Sequence, residues 1–259
     1  MLGRLNKWRK LLAEMQAFPS LSTAGSRYLA EIFFPPTCSP VAVAAKVLSM
    51  GSAGTLRFRE GRHDTFYQRA KKENFAARSV YKLQEIDQRF GLFRTGQRVL
   101  DLGCRPGSWL QYASQKTGGK SPLVGIDREA LAVTIPNARI LIGDVFATDS
   151  ATFRGDLPGF EVVMSDMAPD TTGVRHLDQA RSEGLFERAV ELAEALLLPG
   201  GHFVGKLFQG PDWNRLLQRM RGSFAEVKTV KPDSSRKDSI EQYVVGLRFK
   251  GALSSRVSP

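Results

Sequence analysis

The sequence predicts an α/β domain: a mostly parallel, seven-stranded sheet with helices on both faces. From Gln97 onward, short β-branched runs alternate with stretches of helical periodicity. Acidic residues stand at the ends of three successive runs, at Asp101, Asp127 and Asp144, where an open α/β sheet keeps its ligands. With 259 residues, 42% hydrophobic and 24% charged, the chain can bury a full core around such a sheet.

The first element, Thr65–Arg89, reads as one helix, strongly basic at its start (Arg69, Lys71, Lys72, Arg78). It is expected to lie against the sheet edge with a charged face outward. Strands are predicted at Gln97–Gly103, Pro122–Asp127, Ala138–Asp144, Glu161–Asp166, Gly201–Phe208, Glu226–Val230 and Gln242–Phe249. Between the fourth and fifth, Leu177–Leu198 repeats Leu185, Ala189, Leu192 and Leu196 at helical spacing, which marks a core-facing stripe. Pro199-Gly200-Gly201 is expected to stop that helix.

Charge is concentrated at the front. The chain carries 37 Lys and Arg against 26 Asp and Glu, a net +11, of which residues 1–80 hold 13 basic and 5 acidic side chains. Such a balance points to a polyanionic partner. The longest uncharged run, Ile32 to Ala45, has 14 residues and is broken by Pro35, Pro36 and Pro40, so no spanning helix and no membrane partner are expected. Two cysteines, Cys38 and Cys104, and three scattered histidines provide neither a disulfide framework nor a metal site. A cytoplasmic setting follows, with mitochondrial targeting by the basic N-terminal stretch as the alternative. Residues 1–60 are expected to form a poorly ordered extension, 61–252 the folded domain with its basic helix, and 253–259 a tail. Removing residues 1–56 is therefore expected to leave a cooperative thermal transition. No oligomerisation signal is visible, so a monomer is expected.

The run Val99-Leu100-Asp101-Leu102-Gly103-Cys104-Arg105-Pro106-Gly107-Ser108-Trp109 places an acid and a glycine-containing turn between a strand and a helix. Its spacing is not that of a dinucleotide loop. Gly103 and Gly107 would let backbone approach a bulky ligand while Asp101 reads a cation or a hydroxyl; a bare strand-to-helix turn is the plainer alternative. Asp127 could accept from both hydroxyls of a ribose, and Asp144 from an adenine amino group. Either could instead cap the segment that follows it.

Further along, Lys206 sits inside an otherwise apolar strand, an expensive position unless the ammonium is paired or employed. Asp166 closes the fourth strand within Ser165-Asp166-Met167-Ala168-Pro169. For Lys82 and Glu241, spacing alone favours ordinary solvated surface charges.

Longer stretches are more specific. Arg78-Ser79-Val80-Tyr81-Lys82-Leu83, Asp101-Leu102-Gly103 with Pro106-Gly107 and Trp109, Ser165 through Pro169, Lys206 through Gly210, and Lys231-Pro232-Asp233-Ser234-Ser235-Arg236 together resemble the RrmJ/FtsJ (RlmE) family of ribosomal RNA 2′-O-methyltransferases. The resemblance runs from about Lys71 to Lys250 and implies a Rossmann-like class I fold using S-adenosylmethionine as cofactor. It implies a catalytic tetrad of Lys82, Asp166, Lys206 and Glu241, and cofactor contacts from Gly107, Trp109, Asp127, Asp144 and Asp166, to which the loop reading adds Asp101 and Gly103. The implied partner is ribosomal RNA in the large ribosomal subunit, methylated on a uridine.

The implied chemistry suits these residue types. A ribose 2′-hydroxyl must lose its proton as it attacks, which calls for a positioned base. Lys206 is the candidate, with Asp166 orienting it and Glu241 placing Lys82 or the ribose; a cation stabilising the developing alkoxide is the alternative. Lys71, Lys72, Arg78, Arg236 and Lys237 are the candidate phosphate contacts of an RNA cradle. Cys104, Arg105 and Ser108 stand where the family commonly has two small residues and a second glycine. Two other functions stay open: 2′-O-methyl transfer to transfer RNA or an mRNA cap, and an RNA-binding ribosome-assembly factor of weak catalytic power.

Overall fold

The structure, a computed structural model, describes residues 65–235 and 239–251. The extension 1–60, the tail 253–259 and the candidate phosphate contacts Arg236 and Lys237 lie outside the described residues. In order come α1 (Thr65–Lys72), α2 (Val80–Phe90), β1 (Val99–Leu102), α3 (Ser108–Thr117), β2 (Leu123–Asp127), β3 (Ala138–Ile142) and α4 (Ser150–Arg154). There follow β4 (Phe160–Ser165), α5 (Arg175–Leu196), β5 (Leu197–Phe208), α6 (Trp213–Ser223), β6 (Phe224–Val230) and β7 (Glu241–Phe249).

Seven strands form one sheet in the order β3-β2-β1-β4-β5-β7-β6. The pairs β1–β2, β2–β3, β1–β4 and β4–β5 are parallel, whereas β7 runs antiparallel to both β5 and β6. Strand order reverses between β1 and β4, so the crevice at their carboxyl ends is where such a sheet binds ligands. Alternation along each strand feeds two apolar layers. Leu100 and Leu102 share one layer with Phe186 and Leu192 of α5 and Met220 of α6. Val99 shares the other with Leu83 of α2, Trp109 of α3, and Met164, Val204 and Tyr243.

Three expectations are corrected. Thr65–Arg89 is not one helix but α1 and α2, separated by residues 73–79. Asn74 adopts a left-handed φ of 59° and ends α1, a conformation that asparagine tolerates better than most side chains. Gln111 of α3 fixes the bend, accepting from the Ala76 amide at 2.8 Å and donating to the Asn74 carbonyl at 3.1 Å. Moreover α2 does not flank the sheet edge: its Val80, Leu83 and Ile86 join the layer on the face of β1, β5 and β7.

The helix α5 also ends at Leu196, before Pro199-Gly200-Gly201. Those residues lie within β5, where two steps along β4 (Phe160 to Val162) match five along β5 (Leu197 to His202). Proline cannot donate to a ladder and Gly200 has φ 83°, so the surplus is taken up as a bulge rather than as a helix stop.

The end of α2 is tied to α3 through one buried carboxylate. Asp87 Oδ1 accepts from the Leu92 and Phe93 amides at 2.9 and 3.1 Å, while Oδ2 accepts from the Tyr112 hydroxyl at 2.7 Å and faces Lys116 at 3.3 Å. Asp87→Ala strands three buried donors, and we expect it to lower unfolding free energy by about 2–4 kcal/mol in urea titrations. A loss below about 1 kcal/mol would show that water replaces the carboxylate.

Candidate active site

The carboxyl ends of β1 to β4 surround a cavity of about 330 Å³. Its lining includes Gly103 and Arg105 from the loop after β1, Asp127 at the end of β2 with Arg128 after it, Asp144 and Phe146 after β3, and Asp166 and Met167 after β4. Asp127 shapes its own turn, accepting from the Arg105 amide at 3.0 Å and the Glu129 amide at 3.2 Å. Asp144 does the same for the Phe146 amide at 2.9 Å. The capping and ligand readings of these acids therefore coexist, because a carboxylate has about four lone-pair sites and the amides use only some.

At one side of the cavity two acid–base pairs come together from separate elements. Lys206 on β5 is 8% exposed; its Nζ donates to Asp166 Oδ1 at 3.0 Å and to the Asp166 carbonyl at 2.6 Å. Lys82 on α2 forms an ion pair with Glu241, the first residue of β7. Between the pairs stands Tyr243, fully buried, donating its hydroxyl to Asp166 Oδ1 at 2.7 Å. Lys82 Nζ lies 5.7 Å from the centre of its ring. Burial and the neighbouring acids Asp166 and Glu241 push the Tyr243 hydroxyl well above its usual range, so it serves as a fixed neutral donor.

Asp101 on β1 stands in register beside Met164, two residues before Asp166. It is 1% exposed, and neither carboxylate oxygen has a hydrogen-bond partner among the described residues. Burial, reinforced by Asp166 and Asp127, pushes its carboxyl well above the usual range. Gly103 forms part of the wall: a Cβ there would come within 2.5 Å of Met167 Cγ, and its φ is 78°. An unsatisfied buried carboxyl, a wall that admits only glycine, and acids facing the cavity from three strand ends fit a ligand that is cationic and rich in donors.

The FtsJ-like methyltransferase family model matches residues 75–249. The chain belongs to that family. It is similar to the "Ribosomal RNA large subunit methyltransferase E" of Bdellovibrio bacteriovorus, 49% identical over 190 residues that cover 72% of this chain and 97% of the relative. The protein of the same name from Syntrophobacter fumaroxidans is 47% identical, over 72% and 96% of the two chains. Among solved structures, a ribosomal RNA methyltransferase from Plasmodium falciparum superimposes with a TM-score of 0.61 at 27% identity, over 68% of this chain and all of the other.

In this FtsJ-like methyltransferase the methyl donor's implied contacts are distributed unevenly. Gly103, Asp127, Asp144 and Asp166 line the cavity, whereas Gly107, Trp109 and Asp101 do not. Gly107 caps α3 with φ 116°, and its Cα faces Val133. Trp109 is buried; its indole N–H donates to the Ser79 carbonyl at 2.9 Å, and its ring lies 5.9 Å from that of Tyr243 at a 36° tilt. It thus packs behind Tyr243 rather than lining the cavity.

Lys71 and Lys72 end α1 on exposed positions, and Arg78 is half-buried just before α2. Arg105, in the cavity lining, pairs with Glu129 at 3.0 Å and has half of its side chain exposed. Cys104 is buried, and burial with nearby Asp101 pushes its thiol far up, as suits a packing residue. Tyr243 was not singled out by sequence reasoning. Its only signal there was an aromatic residue early in the last strand, since its pairing with Lys206 depends on the β5–β7 register.

Proposed function

We propose that this chain methylates large-subunit ribosomal RNA, transferring the methyl group of S-adenosylmethionine to the 2′-hydroxyl of a uridine on the assembled or assembling subunit. The observation that carries the reading is the clamp of Lys206 on Asp166 at the cavity wall. The names of the relatives support the RNA class, and the basic residues of α1 support a polyanionic partner.

S-adenosylmethionine supplies an electrophilic methyl group on a sulfonium sulfur. Asp127 and Asp144 would accept from its hydroxyl and amino groups, and Asp166 would present its remaining lone pairs to the same ligand. Two hydrogen bonds to Asp166 fix the Lys206 nitrogen in place. Its remaining position would meet the 2′-hydroxyl as a lone pair in the free amine or as an N–H in the ammonium. In our reading it takes the 2′-hydroxyl proton as the oxygen attacks, and alignment supplies the rest of the acceleration. Glu241 holds Lys82 so that this second cation does not compete for Asp166.

Labelled methyl transfer to undermodified large subunits, free ribosomal RNA and transfer RNA tests the reading. Label on a ribose of large-subunit RNA is expected. Label on transfer RNA alone would move the substrate, and RNA binding with no transfer would favour an assembly factor. Asp127→Ala is expected to weaken S-adenosylmethionine binding about tenfold or more by calorimetry, the scale of a lost charged hydrogen bond. An unchanged dissociation constant would remove Asp127 from the donor site.

A further inference from the structure

We infer that Asp101 is a specificity-determining residue of the donor site: neutral while the cavity is empty or holds an uncharged ligand, it releases its proton when a sulfonium cation binds. The inference rests on the S-adenosylmethionine reading above and adds a charge-matching step to it.

The placement of Asp101 carries the argument. On β1, Leu100 and Leu102 join one apolar layer and Val99 the other, so alternation sends Asp101 to the layer that holds Met164, Val204 and Tyr243. In register Asp101 lies beside Met164 on β4 and Gly125 on β2, each two residues short of an acid, Asp166 and Asp127. Three carboxyl groups therefore converge from adjacent strands, and the central one is wholly enclosed without a hydrogen-bond partner among the described residues. An isolated carboxylate in such a place is costly, so the empty site favours the protonated acid.

Among the described residues, the nearest charged and titratable groups on this face have partners of their own. Lys206 of β5 is held by Asp166, Lys82 of α2 by Glu241 of β7, and Tyr243 donates to Asp166. Cys104, in the loop after β1, is a buried thiol, and the titratable groups of α3, Tyr112 and Lys116, face Asp87. None of these compensates Asp101. A cationic ligand in the neighbouring cavity would, and the carboxyl would then pass its proton to the buffer. The sign follows directly. Donor affinity rises with pH for as long as Asp101 is protonated in the empty protein, whereas the demethylated product, a zwitterion that differs in lacking the sulfonium charge, draws no such proton from Asp101. Donor is thereby preferred over product, and loss of the methyl group weakens the hold on what remains.

Calorimetry of the full chain at neutral pH, in two buffers of different ionisation enthalpy, measures the proton count. S-adenosylmethionine is expected to release about one proton per molecule bound and S-adenosylhomocysteine none. In Asp101→Asn the release should vanish, and the preference for donor over product should fall about tenfold, the equivalent of a single pKa unit. Donor binding without proton release, or release that persists in the variant, would overturn the inference alone. No donor binding at all would overturn the S-adenosylmethionine reading together with it. The comparison of two ligands on the unmodified protein stands even if the variant fails to fold.

Discussion

Lys206→Ala is expected to lower methyl transfer by about 10³-fold, in the range of a lost general base, while S-adenosylmethionine binding changes little. Lys206 reaches the site from inside β5 and is held by two bonds to Asp166, so its removal deletes the group that would meet the 2′-hydroxyl without moving the strands. The Tyr243 hydroxyl keeps Asp166 oriented in the variant. Single-turnover transfer of labelled methyl, beside calorimetric binding, separates the two effects. Lys206→Arg then distinguishes the roles: a base predicts the same loss, because guanidinium does not give up its proton at accessible pH, whereas a stabilising cation predicts substantial retention. Transfer within tenfold of the parent in Lys206→Ala would remove Lys206 from the chemistry.

Asp166→Ala should cost more, because this side chain serves two sites. It lines the cavity, and it holds both Lys206 and Tyr243. We expect transfer to fall by about 10³-fold and donor affinity by about tenfold together, unlike the pure rate defect at Lys206. Removing one member of a buried pair also leaves an uncompensated charge, so the variant should lose about 3 kcal/mol of stability. Asp166→Asn retains an acceptor for Tyr243 and should recover much of the stability without the activity. If Asp166→Ala bound donor normally, the cavity would not be the donor site.

Much of the fold was legible because its signals are local. Each strand could be found from its β-branched run, and α5 from its periodic stripe. What escaped depended on contacts distant in sequence. The left-handed turn at Asn74 is fixed by Gln111 from α3, and the bulge around Pro199 exists because β5 must stay in register with β4. The site divides in the same way. Asp127, Asp144 and Lys206 stood out because acids at strand ends and a lysine in an apolar strand are locally odd. Lys82 and Glu241 drew attention only through the resemblance; nothing near either residue in sequence marks their ion pair. Tyr243 stayed hidden because an aromatic in a strand is unremarkable until its neighbour is known.

The position of β7, between β5 and β6, also governs when the protein becomes competent. Glu241 and Tyr243 both come from this strand, and β6 pairs with no other. During synthesis the parallel half of the sheet can assemble first, but β6 waits without a partner until residues 241–249 emerge and insert beside it. The cluster of Lys82, Glu241 and Tyr243 is thus finished by β7, the last strand of this sheet in chain order. A nascent chain stalled before that point would hold the Lys206–Asp166 pair but leave Lys82 without Glu241 and Asp166 without the Tyr243 hydroxyl, so the order of strands delays completion of the cluster until the sheet closes.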